Sequence, residues 1–328
     1  MKIENLQLKN NLFLAPLQNI TTGPYRRFCR HYSTIGMVYV PMIYMLRVVN
    51  SFESVKEELV KIEEEKPISI QLIGNNKETL IQSIDILESY QYDMLDINAG
   101  CPSRRAISSQ RGGYLMGHLD ELQTIINTAA KYSSKPVSLK IRTGLYNTTD
   151  INKLSTIIND SGISLLIVHA RTVKERFEEG TLDLEFVRTI KDKVDIPVIG
   201  DGDIWDGKSA ESFSKCTGVD GLMIGRATKG DPEVIKRIET YLKTGKKVTP
   251  NKNMESFKHY VHVYEKIIDN YLKDTHIIEN KPDFKYSELF RNVIWLTKDL
   301  PHSSALRRRL SKCKTLSQIK QALENLNI

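Results

Sequence analysis

Cysteine is scarce in this sequence and shows no pairing pattern. Four cysteines, at 29, 101, 216 and 313, are spread over 328 residues without a CxxC spacing. That argues against a zinc site and gives no support to a disulfide framework, so no metal is expected. No apolar run reaches the roughly 18 residues of a membrane span. The opening Met1-Lys2-Ile3-Glu4-Asn5 lacks the apolar stretch of a signal peptide. The expected location is the cytoplasm, with no membrane partner. No GxGxxG follows the first apolar run, so the dinucleotide fingerprint of a doubly wound sheet is missing. There is no low-complexity segment, and the only internal repetition is a βα cadence.

That cadence is the main structural signal. Short apolar or β-branched runs begin near Leu12, Met37, Ile68, Met94, Val137, Leu165, Val198 and Gly221. Helical patterns fall between them, at Pro24 to His31, Leu46 to Leu59, Lys77 to Ser89, Leu119 to Lys131, Asp150 to Asp160, Leu184 to Lys191, Asp206 to Lys215 and Pro232 to Leu242. The runs are continuously apolar rather than alternating, as expected of a parallel sheet covered by helices. Eight βα pairs in about 245 residues match an α/β (β/α)8 TIM barrel. The barrel is expected over residues 1–244 and a linker over 245–252, marked by Gly245 and Pro250. A small all-α helical domain is expected over 253–328. Its helices are predicted at Ser256 to Leu272, Tyr286 to Thr297, Ser304 to Leu310 and Leu316 to Leu326. The net charge is +7, and residues 251–328 hold 14 Lys/Arg against 9 Asp/Glu. A basic tail suits a polyanion such as nucleic acid, and equally a solvated helical surface.

In a TIM barrel the site lies at the C-terminal ends of the strands. Cys101, in Asn98-Ala99-Gly100-Cys101-Pro102, follows the fourth run. A free cysteine is usually a small buried hydrophobe, so its meaning depends on the other strand ends. Gln71 and Asn98 are amides in or after apolar runs, and a buried amide either binds a ligand or satisfies a neighbour. Lys140 is sharper, because an inward lysine needs an anionic or electron-rich partner. Arg142, two residues on, shares its face. His169 ends the sixth run, and opposite a lysine and a cysteine it becomes a candidate ligand to a polar ring edge. The last two runs end in Gly200-Asp201-Gly202-Asp203 and Gly225-Arg226, where this fold usually binds phosphate. Together these residues describe a ring-shaped, phosphate-bearing cofactor across the barrel mouth, and FMN meets those demands.

In these motifs the sequence resembles the flavin-dependent tRNA-dihydrouridine synthases. The likeness runs from Leu14-Ala15-Pro16-Leu17 and Ile20-Thr21 through Gln71, Asn98 to Pro102, Lys140 to Gly144, His169 to Thr172 and Gly202-Asp203 to Ile224-Gly225-Arg226-Ala227. It spans about the first 230 residues in order and spacing, and a helical tail completes the layout. The resemblance implies an oxidoreductase that reduces uridines in tRNA to 5,6-dihydrouridine. Hydride passes from N5 of reduced FMN to C6, a cysteine proton passes to C5, and NADPH or NADH serves as reductant. It makes Cys101 the general acid, and an unperturbed thiol, of pKa about 8.5, is largely protonated at neutral pH. It assigns Pro16, Leu17, Gln18, Gln71, Lys140, His169, Asp201, Gly202, Asp203, Gly225 and Arg226 to the cofactor. Asn98, Arg142, Arg171, Arg104 and Arg105 go to the substrate, with Arg111 beside them. Two departures stand out. Asp201 replaces the family's usual Asn, so backbone rather than the Asp201 carboxylate is expected to bind. Leu17-Gln18-Asn19 replaces the usual segment after Ala-Pro. A target base must leave its stack to reach such a pocket, and a monomer is expected. Three alternatives stay open: a ribosomal-RNA substrate, a dihydroorotate dehydrogenase-like FMN enzyme, and an RNA-binding or chaperone protein on a degenerate barrel.

Overall fold

Alternating apolar runs and amphipathic segments can bury both faces of each strand only if the sheet closes on itself and the helices cover the outside. The computed structural model describes residues 1–59, 63–275, 283–301 and 303–324. A hairpin, β1 (Lys2–Ile3) and β2 (Leu6–Gln7), precedes the barrel. Eight strands follow: β3 (Leu12–Leu14), β4 (Val38–Tyr44), β5 (Ile68–Ile73), β6 (Met94–Ala99), β7 (Val137–Arg142), β8 (Leu165–His169), β9 (Val198–Asp201) and β10 (Gly221–Ile224). They form one sheet of parallel neighbours, with β10 beside β3. A parallel bridge between Phe13 and Met37 and the bond from Leu14 N to Met37 O, 3.0 Å, join β3 to β4. The result is the predicted TIM barrel. Seven strands begin at the predicted residue, and β4 begins one later.

Two cores serve the barrel. Leu95, Ile97, Leu139, Ile141, Leu166 and Val168 point outward under the helices. Phe13, Tyr39, Met94, Leu165, Ile167, Ile199 and Met223 fill the interior, which Ile3 and Leu8 join from the N-terminal segment. Full burial of such a side chain contributes about 1.5–3 kcal/mol. The interior is therefore solid, and a ligand has room only above it, at the strand ends.

The helix expected over Leu46 to Leu59 is broken. It forms as Met45–Asn50, Glu53–Lys56 and a 3-10 turn Glu57–Leu59. Ser51 leaves helical geometry at φ −147° and ψ 46°, and the Ser54 hydroxyl donates to Ser51 O at 2.7 Å. Serine competing for its own backbone in this way interrupts helices. The other barrel helices match expectation to within a few residues.

The C-terminal helices are Met254–Thr275, Phe284–Leu296, Ser303–Leu310 and Leu316–Glu324. Residues 325 and 326 of the last expected helix lie outside the described residues. Phe257, Val261, Tyr264, Ile268 and Leu272 recur at helical spacing on one face of the first helix. They share a core with Leu289, Val293, Leu310 and Ile319, and with Phe28 from the barrel. Glycine permits the docking. A Cβ on Gly230, which has φ +75°, would stand 2.1 Å from Trp295 O. Among the described residues no helix is long and apolar enough to cross a membrane.

Candidate active site

In a β-strand alternate residues share a face. In the described barrel this parity brings Gln71, Asp96, Asn98, Lys140, Arg142, His169 and Asp201 toward the interior at their strands' C-terminal ends. The strand register places them side by side: Gln71 beside Asp96, Asn98 beside Lys140, Arg142 beside His169, and His169 beside Asp201. Above them lies a cavity of about 600 Å³, within the range of small-molecule and cofactor sites. Its walls include Pro16, Leu17, Gln18, Gln71, Asn98, Cys101, Arg104, Lys140, Arg142, His169, Asp201, Asp203, Gly225 and Arg226. Most of the residues selected from sequence therefore meet in one place.

A chain of buried polar groups sets the position of Cys101. The fully buried Asp96 carboxylate accepts from Ser138 Oγ at 2.5 Å and from Gln71 Nε2 at 2.7 Å. Gln71 Oε1 accepts from Asn98 Nδ2 at 2.8 Å, and Asn98 Oδ1 accepts from the backbone N–H of Gly100 and of Cys101 at 3.1 and 2.9 Å. Cys101 is half-buried, with Sγ 3.4 Å from Ser103 Oγ. Gly112, at φ +59°, lies so close that a Cβ there would stand 2.9 Å from Cys101 Cβ. Gln71 and Asn98 thus satisfy neighbours as well as lining the cavity. Asp96 was not a predicted site residue. The signal available was an acid inside a continuously apolar run.

The charges at the strand ends are also ordered. Lys140 Nζ lies 2.5 Å from Asp201 Oδ2, so the unusual aspartate meets the lysine. Burial pushes the Asp201 carboxyl up, but Lys140, His169 and Arg142 outweigh it and hold the group below the ordinary carboxylate range. Burial, with Arg142 and Lys140 adding to it against Asp201, lowers His169 to about 3. The imidazole is neutral at neutral pH, and its buried Nδ1 has no hydrogen-bond partner among the described residues. Burial lowers Arg142 to about 10. Its Nε donates to Gly100 O at 3.0 Å, and its Nη1 to Thr172 O and Arg176 O at 2.9 and 2.7 Å. Arg142 therefore ties the Cys101 turn to the loop after β8.

Three expected residues lie elsewhere. Arg171 is fully buried and is not part of the cavity wall. Its Nε donates to Glu178 O at 2.7 Å and Thr181 Oγ1 at 2.8 Å, and its Nη2 to Asp203. Strand parity ends at His169: Arg171 N donates to His169 O at 2.7 Å, and this tight turn directs the side chain into the loop. Gly202 is buried behind the wall, where a Cβ would stand 2.8 Å from Leu182 Cδ2. Arg105 is exposed at the rim, 5.3 Å from the Tyr44 ring centroid, with Arg111 at 5.7 Å. The Asp203 carboxylate bridges Arg171 and Arg226, so the guanidinium expected at a phosphate is already oriented. Met42, Phe177 and Trp205 also line the cavity. They are apolar residues of β4 and of the loops after β8 and β9, where the sequence reading selected only polar residues and glycine.

The donor set fits a flat, polar-edged ring with a phosphate tail. The orphaned His169 Nδ1 and the amides of Gln71 and Asn98 offer hydrogen bonds, and Lys140 offers charge. Arg226, paired with Asp203, stands beside the close-packed Gly225, where an added Cβ would lie 3.3 Å from Ala15 Cβ. Comparisons with known proteins identify the family. Residues 13–327 match the family model described as "Dihydrouridine synthase (Dus)". "tRNA-dihydrouridine synthase B" of Yersinia pestis is 28% identical, over 99% of this chain and 98% of the relative. The protein of the same name in Pasteurella multocida (strain Pm70) is 31% identical, over 74% and 73%. "Probable tRNA-dihydrouridine synthase" of Rickettsia prowazekii (strain Madrid E) is 28% identical, over 98% and 96%. Among solved structures, morphinone reductase superposes with a TM-score of 0.52 at 12% identity, over 72% of this chain and 87% of that one, which speaks to the barrel fold alone. The chain belongs to the dihydrouridine synthase family.

Proposed function

We propose that this protein reduces uridine in tRNA to 5,6-dihydrouridine, with FMN in the barrel mouth and NADPH or NADH as the source of electrons. The observation that carries the reading is the meeting of Cys101, Asn98, Lys140 and the unpartnered His169 Nδ1 in one cavity. Lys140 and His169 would hold the polar edge of the flavin ring, Pro16, Leu17 and Gln18 one side of it, and Gly225 and Arg226 its ribityl phosphate. FMN held there would, when reduced, be the source of a hydride for C6 of a uracil. Cys101 Sγ gives its proton to C5, so the C5=C6 bond becomes single, and the thiolate regains a proton from solvent at the cavity mouth. Asn98 and Arg142 orient the base. The Asp96–Gln71–Asn98 chain holds Cys101 in place, a preorganisation that spares reorganisation at the moment of transfer.

The names of the relatives favour tRNA over ribosomal RNA, and the basic C-terminal region favours an RNA over a free pyrimidine. Mass-spectrometric mapping of dihydrouridine in RNA from cells with and without the gene tests this. Dihydrouridine should disappear from one or more tRNA positions in the deletion strain. Loss confined to ribosomal RNA would replace the substrate, and no loss from any RNA would overturn the reading.

A further inference from the structure

We propose that Phe177 and Trp205 form a stacking platform at the cavity mouth, and that it holds an unpaired nucleobase adjacent to the one that enters. This rests on an RNA substrate, as proposed above. Phe177 is 47% exposed and Trp205 43%, yet both line the cavity. Exposed aromatic rings at the edge of a site lack the burial that ordinarily accounts for them. The Arg226 guanidinium lies between them, 4.8 Å from the Phe177 centroid and 5.0 Å from that of Trp205. Arg142 stands 5.1 Å from the Phe177 centroid, and Lys298 of the C-terminal region 6.0 Å from that of Trp205. Arg226 is committed to Asp203 and, in the reading above, to the cofactor, so it spaces the two rings, while the exposed Lys298 is the cation left for the backbone of a single strand whose bases stack on them. A nucleotide drawn out of its stack leaves its neighbours unstacked, and a second aromatic surface beside the cavity offsets that loss.

The backbone that carries Trp205 is held on both sides. Trp205 N donates to Ser209 Oγ at 2.9 Å, Asp206 and Ser209 form a capping box at the start of the next helix, and Asp203 is fixed between two arginines. A backbone fixed in this way need not be ordered when a base stacks on the ring.

The test is titration of the FMN-loaded protein with a tRNA transcript and with transcripts made abasic on either side of the target uridine. Trp205→Ala and Phe177→Ala should each weaken transcript binding about tenfold, in line with the loss of one stacked base. Trp205→Phe should restore affinity to within about threefold, since the ring is retained. The loss for Trp205→Ala should be the same factor at every salt concentration, whereas Lys298→Ala should flatten the salt dependence. One of the abasic transcripts should bind the wild type more weakly and the Trp205→Ala protein no more weakly still. Wild-type affinity in both alanine variants, with equal binding of all transcripts, would overturn the platform and leave the RNA reading standing. A wild type that binds no RNA would overturn both.

Discussion

At the scale of single residues, the site is held by polar groups that cannot reach water. Burial raises the Asp96 carboxyl to about 7, against hydrogen bonds from Ser138 and Gln71 and the charge of Lys140. In an unfolded chain the same group titrates near ~3.9. The folded state thus keeps a proton that the unfolded state has released, so the stability this group contributes is fully present below about pH 4 and is lost as the pH rises through 7. Asp96→Asn removes that dependence. Urea unfolding at pH 5 and pH 8 should show the wild type losing stability relative to Asp96→Asn, by roughly a few kcal/mol at most. An equal difference at both pH values would contradict the account. The sequence made Cys101, Lys140 and His169 legible because strand parity and the strand-end rule act locally. It did not reveal that Gln71 and Asn98 are tied to Asp96, since those bonds cross between strands about 25 residues apart. Arg171 misled for a related reason. It stands two residues past His169, as Arg142 stands two past Lys140, but β8 has already ended.

At the scale of elements, strand starts were read closely because each apolar run is bounded by turn residues, and the C-terminal helices because their buried faces repeat at helical spacing. Long-range docking left no such mark. The loop that carries Pro16, Leu17 and Gln18 is latched from the C-terminal region. Thr22 Oγ1 and Tyr264 OH donate to Glu288 Oε2 at 2.9 and 2.8 Å, and Arg291 pairs with Glu288 while donating to Asn19 O at 2.7 Å. Glu65, fully buried, holds Arg26 and Arg27 of the helix that follows. The partners in the Thr22 latch are 266 residues apart in sequence, beyond any periodic signal. Gly230 seats the same helices. Gly230→Ala forces a positive φ on a residue with a Cβ and drives that atom into Trp295 O, together costing at least ~2 kcal/mol. The variant should melt several degrees lower and retain FMN less tightly, because the latched loop lines the cavity. Unchanged melting and unchanged FMN affinity would show that the two regions are not coupled through this contact.

At the scale of the whole molecule, a solid barrel supplies one reactive mouth, and the appended helices supply charge. Arg307, Arg308 and Arg309 are exposed on Ser303–Leu310, while Arg104 and Arg105 flank the mouth. The basic tail and the arginines after Cys101 were both legible in the sequence, whereas which of them face solvent and which line the cavity depends on the fold. In the proposed reaction Cys101 delivers a proton to an RNA uracil beside a reduced flavin. This is tested most directly by mixing the reduced, FMN-loaded protein anaerobically with tRNA that lacks dihydrouridine and counting dihydrouridine by mass spectrometry in wild type and Cys101→Ala. The wild type should form one dihydrouridine for each flavin oxidised. The variant should retain its FMN and react at least about a hundredfold more slowly, as expected when a general acid is removed. Equal rates in the two proteins would contradict the assignment of Cys101.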